Sequence, residues 1–254
     1  MSENDQSGFQ ARDIAVALAL LTRLPLHLPD RAYARRAAAC WAYPLVGLVV
    51  GGLSGVVAAA LVGVGPGLAA IAAIGVTVVL TGAMHEDGLA DVADGFWGGW
   101  DRARRLEIMK DSQIGTYGVM ALLLGFALRW WALEQLFTAG HILNVTLGVA
   151  VLSRGGIPLL MRWLPAARTD GLSRWVGRPG ILAVLLGAFL SVALGLVCLG
   201  PAAVLVIALQ LACLGGLALL AHRKIAGQTG DVLGAAQQVS EIAALIVLAA
   251  LVLA

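Results

Sequence analysis

The chain has 254 residues, 60% of them hydrophobic and 13% charged, and its 17 basic and 15 acidic side chains leave a formal net charge of +2. With a mean hydropathy of +0.89, this balance excludes an ordinary soluble globular domain. No basic stripe with interleaved aromatics occurs, so no nucleic-acid partner is expected.

The first thirteen residues, MSENDQSGFQARD, are acidic to neutral where a signal peptide would carry a basic n-region. Residues 14–28 are apolar but broken by Thr22, Arg23, Pro25 and His27, which predicts an interfacial or re-entrant helix rather than a clean span. Apolar runs of near-spanning length then recur at residues 41–64, 68–84, 115–137, 142–164, 181–200, 202–221 and 233–253. A bilayer core needs about 20 apolar residues per helix, so these runs predict about seven transmembrane helices. The run 68–84 is short, which predicts a tilted helix or one that ends in a partly wet cavity. The expected fold is an all-α, polytopic integral membrane bundle, with residues 1–254 forming one domain. Cys40, Cys198 and Cys213 are odd in number and lie in or beside apolar segments, so they read as small buried hydrophobes. Gly47, Gly51 and Gly55 form a GxxxGxxxG face, the pattern of close helix packing.

The connections alternate in charge. Arg31, Arg35 and Arg36 precede the first run, and the connection at 65–67 is uncharged. Arg102, Arg104, Arg105 and Lys110 follow, then an uncharged connection at 138–141. Arg162, Arg168, Arg174 and Arg178 come next, then an uncharged turn at 199–201, then Arg223 and Lys224. By the positive-inside rule every charged connection is cytoplasmic and the C-terminus lies on the far side of the membrane.

Three polar constellations stand on that cytoplasmic side. In HEDGLADVADG, Asp87, Asp91 and Asp94 fall at i, i+4 and i+7 on one helical face, with Glu86 beside them. Like charges so crowded need a cation among them, and Mg²⁺ bound by one or two carboxylates and phosphate oxygens is the expected one. Gly88 and Gly95 would admit a ligand or backbone closely. In LEIMKDSQIGTYG, Lys110, Asp111 and Ser112 stand before a helix N-terminus suited to an anion, and Asp111 or Ser112 as a plain N-cap predicts the same residue types. In RKIAGQTGDVLGAAQQVSE, Thr229, Gly230 and Asp231 sit in a glycine-rich turn before the last run, where backbone approach to phosphate competes with a simple turn, and Glu241 lies about two turns in. Arg154, in mid-span, either serves a site or pairs with Glu134 or Glu241. Arg129 and Glu134 flank Trp130 and Trp131 and read as interface anchors. Nucleophile-elbow, zincin, P-loop and dinucleotide motifs are not found.

TRLP at 22–25, PLVG at 44–47, HEDGLADVADG at 85–95, LEIMKDSQIGTYG at 106–118, SRG at 153–155 and GQTGDVLGA at 227–235 occur in an order that resembles the cobalamin synthase (CobS) family over essentially the whole chain. Two positions depart from that family's pattern. Glu86 stands where an apolar residue is usual, and Ala226 replaces the first glycine ahead of TGD. The resemblance implies Mg²⁺-dependent joining of adenosylcobinamide-GDP to α-ribazole or its 5′-phosphate, with release of GMP. It implies Asp87, Asp91 and Asp94 as metal ligands, Asp231 as a further ligand or as orienter of the attacking hydroxyl, Lys110 and Arg154 as catalytic residues that meet phosphate charge, Asp111 as a further catalytic residue, and Gly88, Ser112, Thr229 and Gly230 around the phosphates. Association with further copies of the chain stays open. The residues alone leave two rivals: another aspartate-rich Mg²⁺-dependent intramembrane transferase of prenyl or CDP-alcohol type, and a transporter, which should show paired half-repeats.

Overall fold

The computed structural model describes residues 8–254, so most of the N-terminal stretch read for a signal peptide lies outside the described residues. Twelve α-helices make up the fold, and the only strand-like feature among the described residues is a parallel bridge between Ala166 and Gln228. Helix α1 (Arg12–Leu21) has ten residues, about 15 Å, half of what a bilayer core requires. It is therefore not a span, as the interrupted run predicted. Burial would raise the carboxyl of Asp13 at its start, but hydrogen bonds from Arg35 Nε (2.7 Å) and Trp41 Nε1 (2.9 Å) outweigh this and hold it below the ordinary range.

The long apolar helices are α2 (Tyr43–Leu61), α6 (Thr116–Thr138), the pair α7 (Leu143–Gly155) and α8 (Ile157–Trp163), α10 (Ile181–Leu199), α11 (Ala202–Ile225) and α12 (Gly230–Leu253). Among the described residues they give six candidate spans by length and composition, or seven if a broken pair is counted as one span. That pair is α3 (Pro66–Thr81) and α4 (Met84–Gly98), bent by 88°. Gly82 (φ 65°) and Ala83 (φ 57°) sit in the left-handed region, which ends α3 and turns α4 across it. The short apolar run thus ends in a sharp corner rather than a tilt. Short helices α5 (Arg102–Ile108) and α9 (Leu172–Val176) lie in the charged connections.

Two helix contacts set the frame. The Gly47–Gly51–Gly55 face lies on α7, and a Cβ at Gly47 would fall 2.5 Å from the carbonyl oxygen of Ala150. A second glycine contact joins α4 to α12. A Cβ at Gly88 would sit 2.6 Å from the Asp231 carbonyl oxygen, and one at Gly234 would sit 3.0 Å from that of Met84. The charged connections gather at one end of the bundle. Arg102 donates to the carbonyls of Ile225 (2.9 Å) and Ala167 (2.8 Å), Arg105 to Lys224 (3.1 Å), and Lys224 Nζ to Phe96 (2.9 Å).

A buried ionic network lies beneath that end. Arg129 Nη1 pairs with Glu86 Oε1 at 2.9 Å, and Nη2 with Glu241 Oε1 at 2.8 Å. Gln238 bridges Arg129 and Glu86, while Gln237 donates to Glu241 (2.6 Å) and to Ser153 (3.2 Å). These contacts pin α4 to α6, α7 and α12. Arg129, expected as an interface anchor, is 3% exposed and is the hub of the network. Glu134, further along the same helix, is half-buried beside Gly67. The network also explains Glu86, the position that departs from the family's pattern, as the partner of Arg129.

Removing one partner of a buried ion pair strands the other charge, at a cost of about 3–5 kcal/mol, whereas replacing the whole set with apolar groups is far cheaper. Arg129→Leu should therefore lower the melting temperature of the detergent-solubilised protein sharply. Adding Glu86→Leu and Glu241→Leu should recover most of the loss. A triple variant less stable than Arg129→Leu would contradict this reading.

Candidate active site

A cleft of about 170 Å³ opens between α1, α4, α8, α9 and α12, lined on its polar side by His85, Asp87, Arg168, Asp170, Thr229, Gly230 and Asp231. Leu21, Tyr43, Met84, Ile157 and Met161 form its apolar side. Both aspartate segments of the sequence meet here. The helical spacing holds: Asp87 is exposed, Asp91 half-buried and Asp94 buried along α4. Asp231 is the second residue of α12 rather than part of the turn ahead of it, because Thr229 caps that helix by accepting from the Val232 amide at 3.3 Å. The same Thr229 hydroxyl donates to Asp231 Oδ2 at 3.0 Å.

The electrostatics join the two segments. Asp91 feels the negative charges of Asp231, Asp87 and Asp94 and the compensating cation of Arg168. Arg168 Nη1 lies 3.2 Å from Asp231 Oδ2, and its Nη2 donates to the Leu106 carbonyl at 3.0 Å. Its Nε is buried without a hydrogen-bond partner. Arg168 was one of four arginines in its connection, and nothing in the spacing singled it out. His85 was likewise missed. It is 2% exposed, lines the cleft, and leaves Nε2 unpartnered.

The remaining expected residues are distributed more widely. Both oxygens of Asp94 accept backbone amides, from Gly115 (2.7 Å) and Gly118 (2.9 Å), at the start of α6. The anion predicted at that helix N-terminus is therefore Asp94 itself, and the cap is neither Asp111 nor Ser112. Asp111 is exposed and accepts from the Gln113 amide (3.0 Å), and Ser112 is exposed beside it. Lys110 pairs at 2.7 Å with Asp170 on the rim of the cleft, and the ammonium holds the Asp170 carboxyl below its usual range. Arg154 is 1% exposed and donates to the Ala150 carbonyl of its own helix (3.0 Å). It contributes to the field of the buried network, near Glu241 and Glu86, rather than lining the cleft.

No three His, Cys, Asp or Glu side chains among the described residues converge as a protein cage for a metal ion. The donors present are hard carboxylate oxygens of Asp87, Asp91 and Asp231, two of them facing one cleft across the bare Gly88 contact. That set fits Mg²⁺, which takes one or two carboxylates and completes its shell with water and phosphate, and it does not fit a closed structural metal site.

Comparison with known proteins identifies the family. The profile of the family described as cobalamin-5-phosphate synthase matches residues 13–249. A Mesorhizobium japonicum protein named adenosylcobinamide-GDP ribazoletransferase is 44% identical over 240 residues, covering 92% of each chain. A Bradyrhizobium diazoefficiens protein of the same name is 44% identical over 246 residues, covering 94% of this chain and 93% of its own. No solved structure matches. A match spanning both aspartate segments, the arginine-bearing connection between them and nearly every span leaves one assignment: the chain belongs to the cobalamin-5-phosphate synthase family.

Proposed function

We propose that the whole chain is one transferase domain that joins adenosylcobinamide-GDP to α-ribazole, or to its 5′-phosphate, in the assembly of cobalamin, with Mg²⁺ as cofactor. The family and the relatives' shared name support the reaction. The observation that carries the site is the meeting of Asp87 and Asp231, 144 positions apart in sequence, across one cleft with Arg168.

In this reading a ribose hydroxyl oxygen forms a bond to the phosphorus that bears the cobinamide. The bond from that phosphorus to the bridging oxygen breaks, and the oxygen leaves with GMP. Positioning and charge neutralisation carry such a transfer. Bound Mg²⁺ would supply Lewis-acid polarisation of the phosphoryl oxygens. Asp87 and Asp231, which face the cleft, would hold it, with Asp91 adding its charge behind them, and Arg168 would orient the pyrophosphate through the guanidinium that now faces Asp231. The free backbone around Gly230 lets phosphate approach the start of α12, whose N-terminus favours an anion. Asp94 secures α4 against α6 and so fixes the direction in which Asp91 points. A transporter reading has no comparable support, and the buried Glu86, Arg129 and Glu241 are already paired with each other.

The gathering of the arginine-bearing connections at the cleft's end supports a cytoplasmic active site in the inner membrane. A C-terminal alkaline phosphatase fusion should then be active in cells and a green fluorescent fusion dark. The reverse pattern would overturn the orientation.

Asp231→Asn keeps the Thr229 contact but removes the charge. The purified variant should melt like the parent protein, release GMP at least about 100-fold more slowly and need more Mg²⁺ for half-maximal rate, a loss of about 3 kcal/mol in transition-state stabilisation. Chelation should stop wild-type turnover and added Mg²⁺ restore it. Wild-type kinetics in a folded Asp231→Asn protein, or full turnover in chelator, would remove the metal reading.

A further inference from the structure

A second cavity, of about 230 Å³, lies beside the cleft and shares Met161 and Ser173 with it. Its chemistry differs. Arg174 and Arg178 line it with no carboxylate among the lining residues, and the indole of Trp163, 61% exposed, forms part of its wall. Gln228 closes the side nearest the cleft. Its backbone is fixed by the bridge to the α8–α9 connection, with Gln228 N donating to the Pro165 carbonyl and Ala167 N to the Gln228 carbonyl, each at 2.8 Å. The side chain is buried with it: Gln228 is 5% exposed, yet its Oε1 has no hydrogen-bond partner. A buried acceptor left unpaired is costly unless a ligand donor completes it.

An aromatic face, two guanidiniums and an unpaired carbonyl-type acceptor are the groups that recognise a nucleotide: the indole stacks on a base, arginine meets phosphate, and the amide oxygen accepts from a base N–H. Gln228 immediately precedes Thr229 and the two cavities share Met161 and Ser173, so a nucleotide in this cavity would lie against the cleft. Of the purine bases, guanine offers two adjacent donors on one edge, its ring N–H and its exocyclic amine, whereas on that edge adenine offers its exocyclic amine beside a ring acceptor. We propose that this cavity is the guanine nucleotide subsite, holding the part of the substrate that departs as GMP, with Gln228 reading the base and Arg174 and Arg178 the phosphate. The choice of guanine rests on the transferase reading above.

Equilibrium dialysis with labelled GMP, on protein in phosphatidylcholine nanodiscs, tests the subsite without turnover. The wild type should bind GMP at least 10-fold more tightly than AMP. Gln228→Leu, Arg178→Ala and the surface change Trp163→Ala should each weaken GMP binding several-fold, and in steady-state assays they should raise KM for adenosylcobinamide-GDP while leaving that for α-ribazole within two-fold. Equal binding of GMP and AMP, or unchanged binding in folded Gln228→Leu and Trp163→Ala, would overturn the proposal. So would loss of GMP binding when phosphatidylglycerol replaces phosphatidylcholine, which would assign the arginines to lipid phosphate. If GMP binds as expected but the wild type releases none from the two substrates, the transferase reading fails and the subsite stands. If turnover proceeds and the variants bind normally, only the subsite falls.

Discussion

Everything at the cleft depends on two helices crossing with no side chain between them. Where α4 meets α12, Gly88 lies on the backbone of Asp231 and Gly234 on that of Met84. A methyl group at Gly88 would push the helices apart, and with them Asp87 and Asp231. The packing force available inside a bilayer is van der Waals contact and interhelical hydrogen bonding, not exclusion of water, so such bare crossings are a natural way to fix two helices in register. Below the crossing, the Glu86–Arg129–Glu241 network fixes the same pair by charge. Above it, the Thr229 cap fixes the start of α12. Three different interactions hold one geometry, and the carboxylates of the two segments are its product.

Much of this was legible in the sequence because it follows helical period. The DxxxDxxD face, the glycine stripe on α2 and the alternation of charged connections are all local patterns, and each survives in the structure. The rest was not legible because the deciding partner is distant. Nothing local to Asp94 says that its oxygens meet the amides of Gly115 and Gly118. Arg129 looked like an anchor because two tryptophans follow it, but its partners come from α4 and α12. The corner between α3 and α4 turns partly on Ala83, a residue that composition would not nominate for a left-handed backbone. Ala226, which replaces a glycine usual in the family, also takes φ 57°, so the glycine preference there has a backbone reason even though this chain departs from it.

The bundle also separates two uses of charge. Deep in the apolar interior, acids and bases neutralise one another, and their role is to hold helices. At the end where the arginine-bearing connections gather, Arg168 is the cation set against Asp91 and Asp231, and the negative charge left over with Asp87 is what a divalent ion and a pyrophosphate would balance. Arg154 lies buried in the field of the first group without bridging helices, and Arg168 belongs to the second, although in sequence the mid-span arginine looked the more exceptional.

The central claim is that the two aspartate segments form one site. A double-mutant cycle on kcat/KM for GMP release, using Asp87→Asn, Asp231→Asn and the combined variant, tests it most directly. If both carboxylates serve the same bound group, the second substitution should add little to the loss caused by the first, giving a coupling energy of about 1 kcal/mol or more. Losses that simply multiply would mean that α4 and α12 act independently, and would contradict the account.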